Sequence, residues 1–85
     1  MTKVIIYTKL LCPYCDKAKD LLHSKDINFE EIDIGTNLSK RKEMETRSNG
    51  NHTVPQIFIG DKHVGGCDDL YSLDKQGSLD SLLQG

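Results

Sequence analysis

The sequence has no long hydrophobic run and no marked excess of one charge, and each absence excludes a class of protein. Its first apolar stretch, Val4-Ile5-Ile6-Tyr7, has four residues, whereas a transmembrane helix needs about 18 or more. No membrane span is therefore predicted. The 11 Lys and Arg residues and 13 Asp and Glu residues give a net charge of -2. The basic residues are scattered and do not alternate with aromatic ones, so no nucleic-acid-binding surface is predicted either.

The first residues also lack a small-residue cleavage site after the apolar run, so they do not form a signal peptide. We therefore expect a cytoplasmic protein, in a compartment where thiols are kept reduced. A chain of 85 residues is long enough to fold around its own core without a metal or a disulfide. The expected organisation is a single domain covering residues 1–85, acting as a monomer.

Cysteine is scarce, but two of the three cysteines, Cys12 and Cys15, form a CxxC pair. In a reducing compartment such a pair favours catalysis or metal binding over a permanent disulfide. A structural zinc site uses four ligands, commonly two paired sets. The remaining candidate ligands show no second set at metal-binding spacing, so zinc stays open only as an alternative; they are Cys67, His23, His52 and His63. We interpret the histidines as surface residues that are solvated or hydrogen-bonded.

Hydrophobic periodicity predicts alternating strands and helices. The predicted strands are 4–7, 28–34, 56–59 and a short return at 63–64, and the predicted helices are 13–25, 38–48 and two stretches containing Leu70 and Leu79. The order β-α-β-α-β-β-α, with the last helix divided, predicts an α/β protein with a four-stranded mixed sheet flanked by helices.

Cys12 is predicted to lie after the first strand and to cap the helix that starts at Pro13. The free backbone N–H groups and the positive dipole end at a helix N-terminus favour an anion, and Lys9 adds a positive charge nearby. These conditions favour a thiolate at Cys12. Cys15 lies one turn further into the helix, so we expect it to be less exposed and less acidic.

Three motifs occur in order along the chain: Tyr7-Thr8-Lys9 with Cys12-Pro13-Tyr14-Cys15, then 53–59 (TVPQIFI), then 65–70 (GGCDDL). Together they closely resemble the dithiol members of the glutaredoxin family, and the resemblance runs nearly end to end. It implies a thioredoxin-like fold and an enzyme that reduces glutathione mixed disulfides and protein disulfides. Glutathione would be the reducing co-substrate, with no tightly bound cofactor, and disulfide-containing or glutathionylated proteins would be the partners.

By resemblance, Cys12 is the nucleophile and Cys15 the resolving cysteine. The resemblance also implies a cis Val54–Pro55 bond, which would present the main chain of Val54 to a peptide-like ligand. The expected glutathione-binding residues are Lys9, Tyr14, Thr53, Val54, Pro55, Gly66, Cys67 and Asp68, with Arg41 a further candidate beside Lys9.

Simpler interpretations stand beside these roles. Lys9 could be only a solvated charge, Tyr14 could pack on the apolar stripe of its helix, and Pro55 could begin a strand. Asp68 and Asp69 could stabilise the first turn of the next helix, and for Asp69 we expect that role. Cys67 is expected to be a small buried hydrophobic residue. An iron–sulfur cluster held by Cys12 and external glutathione is a further alternative.

Overall fold

A computed structural model describes residues 2–84. The elements in chain order are β1 (Val4–Thr8), α1 (Pro13–Ser24), β2 (Glu30–Asp33), α2 (Leu38–Arg47), β3 (Gln56–Ile59), β4 (Lys62–Gly65), α3 (Cys67–Lys75) and α4 (Leu79–Gln84). No helix within these residues is both long and apolar enough to cross a lipid bilayer.

The strands form one sheet in the order β2-β1-β3-β4. β1 is parallel to β2 and antiparallel to β3, which is antiparallel to β4. The parallel pair needs a crossover, which α1 supplies, whereas a tight turn at Gly60 joins the antiparallel pair β3 and β4. The predicted four-stranded mixed sheet is confirmed.

The predicted boundaries differ most at β2, which is four residues long instead of the seven predicted. β2 is an edge strand and pairs only with β1, from Ile5 opposite Glu30 to Thr8 opposite Asp33. Asn28 and Phe29 come before this pairing begins, and Ile34 lies beyond it. Three of its four side chains are exposed, so hydrophobic pattern alone did not define its ends.

Successive side chains of β1 point to opposite faces of the sheet, and both faces are covered. Ile6 belongs to the larger core, which includes Leu22 of α1, Leu70 of α3 and Leu79 of α4. Tyr7 packs on the other face with Met44 of α2, Phe58 and Ile34. The prediction that the first strand is buried on both faces is thus confirmed. Cys12 follows in the loop after this strand.

Candidate active site

Cys12 forms the N-cap of α1. Its backbone is extended, with φ of -115° and ψ of 101°, and the backbone N–H of Cys15 donates a hydrogen bond to Cys12 Sγ over 3.3 Å. The sulfur therefore occupies the position in which an N-cap oxygen normally accepts from the first turn. Because the positive end of the helix dipole also lies there, this geometry stabilises a negative charge on the sulfur.

Cys15 lies inside the first turn and is 1% exposed, against 8% for Cys12. Burial, together with the side-chain hydrogen bond of its thiol to Cys12, raises the pKa of the Cys15 thiol to about 12. Cys15 is therefore a protonated thiol at neutral pH. The expectation that the inner cysteine is less exposed is confirmed, and its raised pKa agrees with the expectation of a weakly acidic thiol.

The segment 53–55 faces the cysteines from the opposite side. The Val54–Pro55 bond is cis, as the resemblance implied, and the carbonyl oxygen of Val54 accepts a long hydrogen bond from the Cys12 thiol, with 3.9 Å between sulfur and oxygen. Pro55 is buried, whereas Thr53 is exposed. Main-chain groups of this segment thus lie beside Cys12, where an extended ligand can pair with them.

A groove of about 270 Å³ adjoins this segment. Seven of the residues predicted to bind glutathione line it: Tyr14, Thr53, Val54, Pro55, Gly66, Cys67 and Asp68. Tyr14 is 59% exposed, so it does not pack into the core and instead borders the groove. Three further lining residues were not predicted to bind glutathione: Gln56, Gly65 and Asp69. Asn51 also lines the groove and belongs to the loop 49–52, in which the sequence leaves open which residue contacts the ligand.

A second depression lies on the other side of Thr53 and Val54, which border both. It contains Cys12 and the exposed cationic residues Lys9 and Arg41. The Arg41 guanidinium also forms an ion pair of 3.4 Å with Glu45 in the next turn of α2. The structure thus places both predicted cationic residues at the end of the site opposite to Asp68.

The wall formed by residues 65–68 depends on the turn between β4 and α3. The Asp69 carboxylate accepts a hydrogen bond of 3.0 Å from the N–H of Gly66, which confirms its predicted role at the start of the helix. Asp68 has an exposed side chain and borders the groove. A Cβ at Gly66 would lie 3.5 Å from the Pro55 carbonyl oxygen, an ordinary van der Waals contact, so this turn lies next to the segment 53–55.

Cys67 is buried and packs with the larger core. Burial, assisted by the negative charge of Asp68, raises the pKa of its thiol. Cys67 is therefore a protonated thiol at neutral pH, and its interpretation as a small hydrophobic residue is confirmed. All three cysteines are unpaired thiols.

Gln56 is the most informative residue that the sequence interpretation missed. It is 3% exposed, and its side chain joins Thr53 to His63 by hydrogen bonds. The available signal was a glutamine at the start of an otherwise apolar strand, where a buried amide needs partners. The pattern could not identify His63 as one of them.

The candidate metal ligands of the sequence do not converge. Within residues 2–84, no group of three or more His, Cys, Asp and Glu side chains is arranged to hold a metal ion. The four-ligand requirement of a structural zinc site is therefore not met by this part of the chain.

Comparisons with known proteins agree with the geometry. The sequence profile of the Glutaredoxin family matches residues 4–64. Glutaredoxin 3 of Escherichia coli K12 is 58% identical over 84 residues, which are 99% of this chain and 100% of that protein. A glutaredoxin of Pseudomonas aeruginosa is 51% identical over 83 residues, covering 98% of each protein.

Solved structures show the same similarity in three dimensions. A glutaredoxin of Brucella melitensis is 58% identical, with a TM-score of 0.84 over 98% of this chain and 89% of that one. A buckwheat glutaredoxin in complex with glutathione is 27% identical, with a TM-score of 0.86 over 98% of this chain and 77% of that one. The predicted thioredoxin-like fold is confirmed.

Proposed function

The chain belongs to the glutaredoxin family and is a thiol-disulfide oxidoreductase; we propose that glutathione is its reductant and that it acts on glutathione mixed disulfides and protein disulfides. The observation that carries this proposal is the position of the Cys12 sulfur. It caps α1, accepts the Cys15 N–H over 3.3 Å and lies beside a main-chain segment that can hold a peptide. The complex of the buckwheat protein with glutathione supports the choice of ligand.

In the first half-reaction, the Cys12 thiolate attacks the glutathione sulfur of a mixed disulfide. The old S–S bond breaks, the client leaves as a thiolate that takes up a proton, and Cys12 becomes bonded to glutathione. A second glutathione thiolate then attacks the Cys12-bound glutathione, which releases glutathione disulfide and restores the Cys12 thiolate. The helix N-terminus stabilises the Cys12 anion both as nucleophile and as leaving group.

A disulfide within a client protein requires the second cysteine. Cys12 attacks one client sulfur and forms a mixed disulfide with the client. Cys15, one turn away, then attacks the Cys12 sulfur, its proton passes to the departing client thiolate, and the client leaves fully reduced. Two glutathione molecules reduce the resulting Cys12–Cys15 disulfide. The buried, protonated Cys15 thiol suits this order because it does not compete with Cys12 for the first attack.

The two ends of glutathione are proposed to bind opposite ends of the site. Main-chain N–H groups at the start of α3 and the side chain of Asp68 suit the α-carboxylate and the amino group of the γ-glutamyl residue. Lys9 and Arg41 suit the glycyl carboxylate, and Tyr14 would flank the disulfide. We also propose that residues 1–85 form one domain that works as a cytoplasmic monomer.

The choice of reductant tests this proposal. We expect glutathione to reduce a glutathionylated client at least about tenfold faster than cysteamine at equal thiolate concentration, because cysteamine lacks both carboxylates and each lost charged contact weakens binding. The measurement is the intact mass of the client against time, with the uncatalysed rate subtracted. Equal catalysed rates with the two thiols would contradict glutathione dependence.

A further inference from the structure

Three side chains form a chain of hydrogen bonds behind the groove, which we call the His63 relay: His63, Gln56 and Thr53. The Gln56 side-chain amide donates to Thr53 Oγ1 over 3.2 Å. On its other side, Gln56 Oε1 lies 2.6 Å from His63 Nε2. Gln56 is 3% exposed, so the two contacts replace the water that its amide would otherwise bind.

The orientation of the Gln56 amide sets the direction of the relay. Its nitrogen donates to Thr53, so its oxygen faces His63, and His63 donates to that oxygen in the tautomer that carries a proton on Nε2. Thr53 Oγ1 accepts from Gln56, which leaves the hydroxyl proton of Thr53 free to donate elsewhere. Thr53 is exposed and borders both depressions of the site, so this proton is available to a ligand.

The fold holds His63 in place for this contact. The pairing of β3 and β4 shifts register between Ile57 and Phe58, which places His63 opposite Phe58. Gln56 and Phe58 are two residues apart on β3 and therefore point to the same face of the sheet. The His63 ring stacks on Phe58, with 4.8 Å between ring centroids and 26° between their planes.

The Phe58 ring on which His63 stacks is also in contact with a cation. The Arg47 guanidinium lies 4.4 Å from the centroid of Phe58 and also donates to the Tyr7 hydroxyl over 3.0 Å. Phe58 is thus held from α2 as well as from within the sheet. The position of His63 is therefore set by packed groups that do not border the groove.

We propose that His63 is a positioning residue which, through Gln56, holds the Thr53 hydroxyl as a hydrogen-bond donor to an anionic group of the bound thiol. A carboxylate of glutathione is the group of that chemistry, so the inference rests on the proposed function. The relay would act on binding and leave the sulfur chemistry at Cys12 unchanged.

Two substitutions at His63 distinguish the effect of its N–H donor from the effect of its aromatic ring. His63→Phe keeps an aromatic ring on Phe58 but removes the N–H, and we expect the KM for a small glutathione mixed disulfide to rise about fivefold, equal to about 1 kcal/mol. The kcat should stay within about twofold of the original value, because Cys12 is untouched. His63→Gln places an amide N–H near the former Nε2, so it should restore most of the KM.

A matched control and a double-substitution cycle complete the test. His23 is exposed, and its ring centroid lies 5.1 Å from that of Phe29, but it is outside the site. His23→Phe should therefore leave the KM unchanged. In a Thr53→Val background, His63→Phe should have no further effect on the KM, since the hydroxyl that it orients is gone. If circular dichroism shows that His63→Phe does not fold, Gln56→Met replaces it, and its KM is compared with and without Thr53→Val.

The outcomes distinguish the inference from the proposed function. If the unsubstituted protein does not use glutathione, the proposed function fails. If it does, but His63→Phe leaves the KM unchanged, acts additively with Thr53→Val, or is not rescued by His63→Gln, the relay has only a structural role and the inference is overturned.

Discussion

Replacing Cys12 with serine should reduce activity on a small glutathione mixed disulfide by on the order of a thousandfold or more. A serine hydroxyl is not ionised at neutral pH, and the helix N-terminus cannot make it a nucleophile comparable to a thiolate. The measurement is glutathione-dependent reduction coupled to NADPH oxidation by glutathione reductase. Activity of Cys12→Ser equal to that of the original protein would contradict its role as nucleophile.

Serine variants of the other cysteines provide the matched controls. Cys15→Ser should keep activity on the mixed disulfide to within about fivefold, since that cycle needs one protein thiol. It should lose activity on a disulfide within a client protein, where no resolving thiol remains. Cys67→Ser should remain active on both substrates, because the Cys67 thiol takes part in neither thiol-exchange step. Loss of mixed-disulfide activity in Cys15→Ser would show that the reaction requires both thiols.

Replacing Gly65 with alanine should lower the free energy of unfolding by about 3 kcal/mol or more. Gly65 has φ of +118°, and a Cβ there would overlap the carboxylate of Asp69. Alanine would therefore strain the backbone and also displace the group that caps α3 at Gly66. The measurement is urea unfolding followed by circular dichroism.

Gly50→Ala and Gly77→Ala measure the cost of backbone strain alone, without the steric overlap that alanine would have at Gly65. Both glycines have positive φ, +94° and +77°, and a Cβ at either would have no atom within 4 Å. These variants should therefore cost only about 1–2 kcal/mol. A cost for Gly65→Ala no greater than theirs would show that Asp69 can move without loss, and that the turn does not depend on this cap.

The sequence predicted best those features that depend on residues close together in the chain. Cys12 and Cys15 are three residues apart, so placing Cys12 at the start of a helix was enough to predict which thiol is more buried. The capping role of Asp69 also spans three residues. The apolar run of β1 predicted burial on both faces because such a run cannot face water on either side.

Features that depend on strand register were not accessible. His63 contacts Gln56 because β4 shifts register against β3, and a shift of one residue would turn its side chain to the other face. The ends of β2 depend in the same way on where β1 begins to pair. Arg41 was a candidate only by resemblance, because its place beside Lys9 depends on how α2 packs on the sheet.

The most direct test of the central claim is to find which sulfur carries glutathione. Cys15→Ser, treated with glutathione disulfide and digested under acidic conditions, should give a peptide in which Cys12 is bonded to one glutathione by mass spectrometry. We predict this modification on Cys12, which caps a helix, and its absence from Cys67, because burial and the charge of Asp68 raise the pKa of the Cys67 thiol. Glutathione found only on Cys67, or on neither cysteine, would contradict the claim that Cys12 is the nucleophile of a glutathione-dependent enzyme.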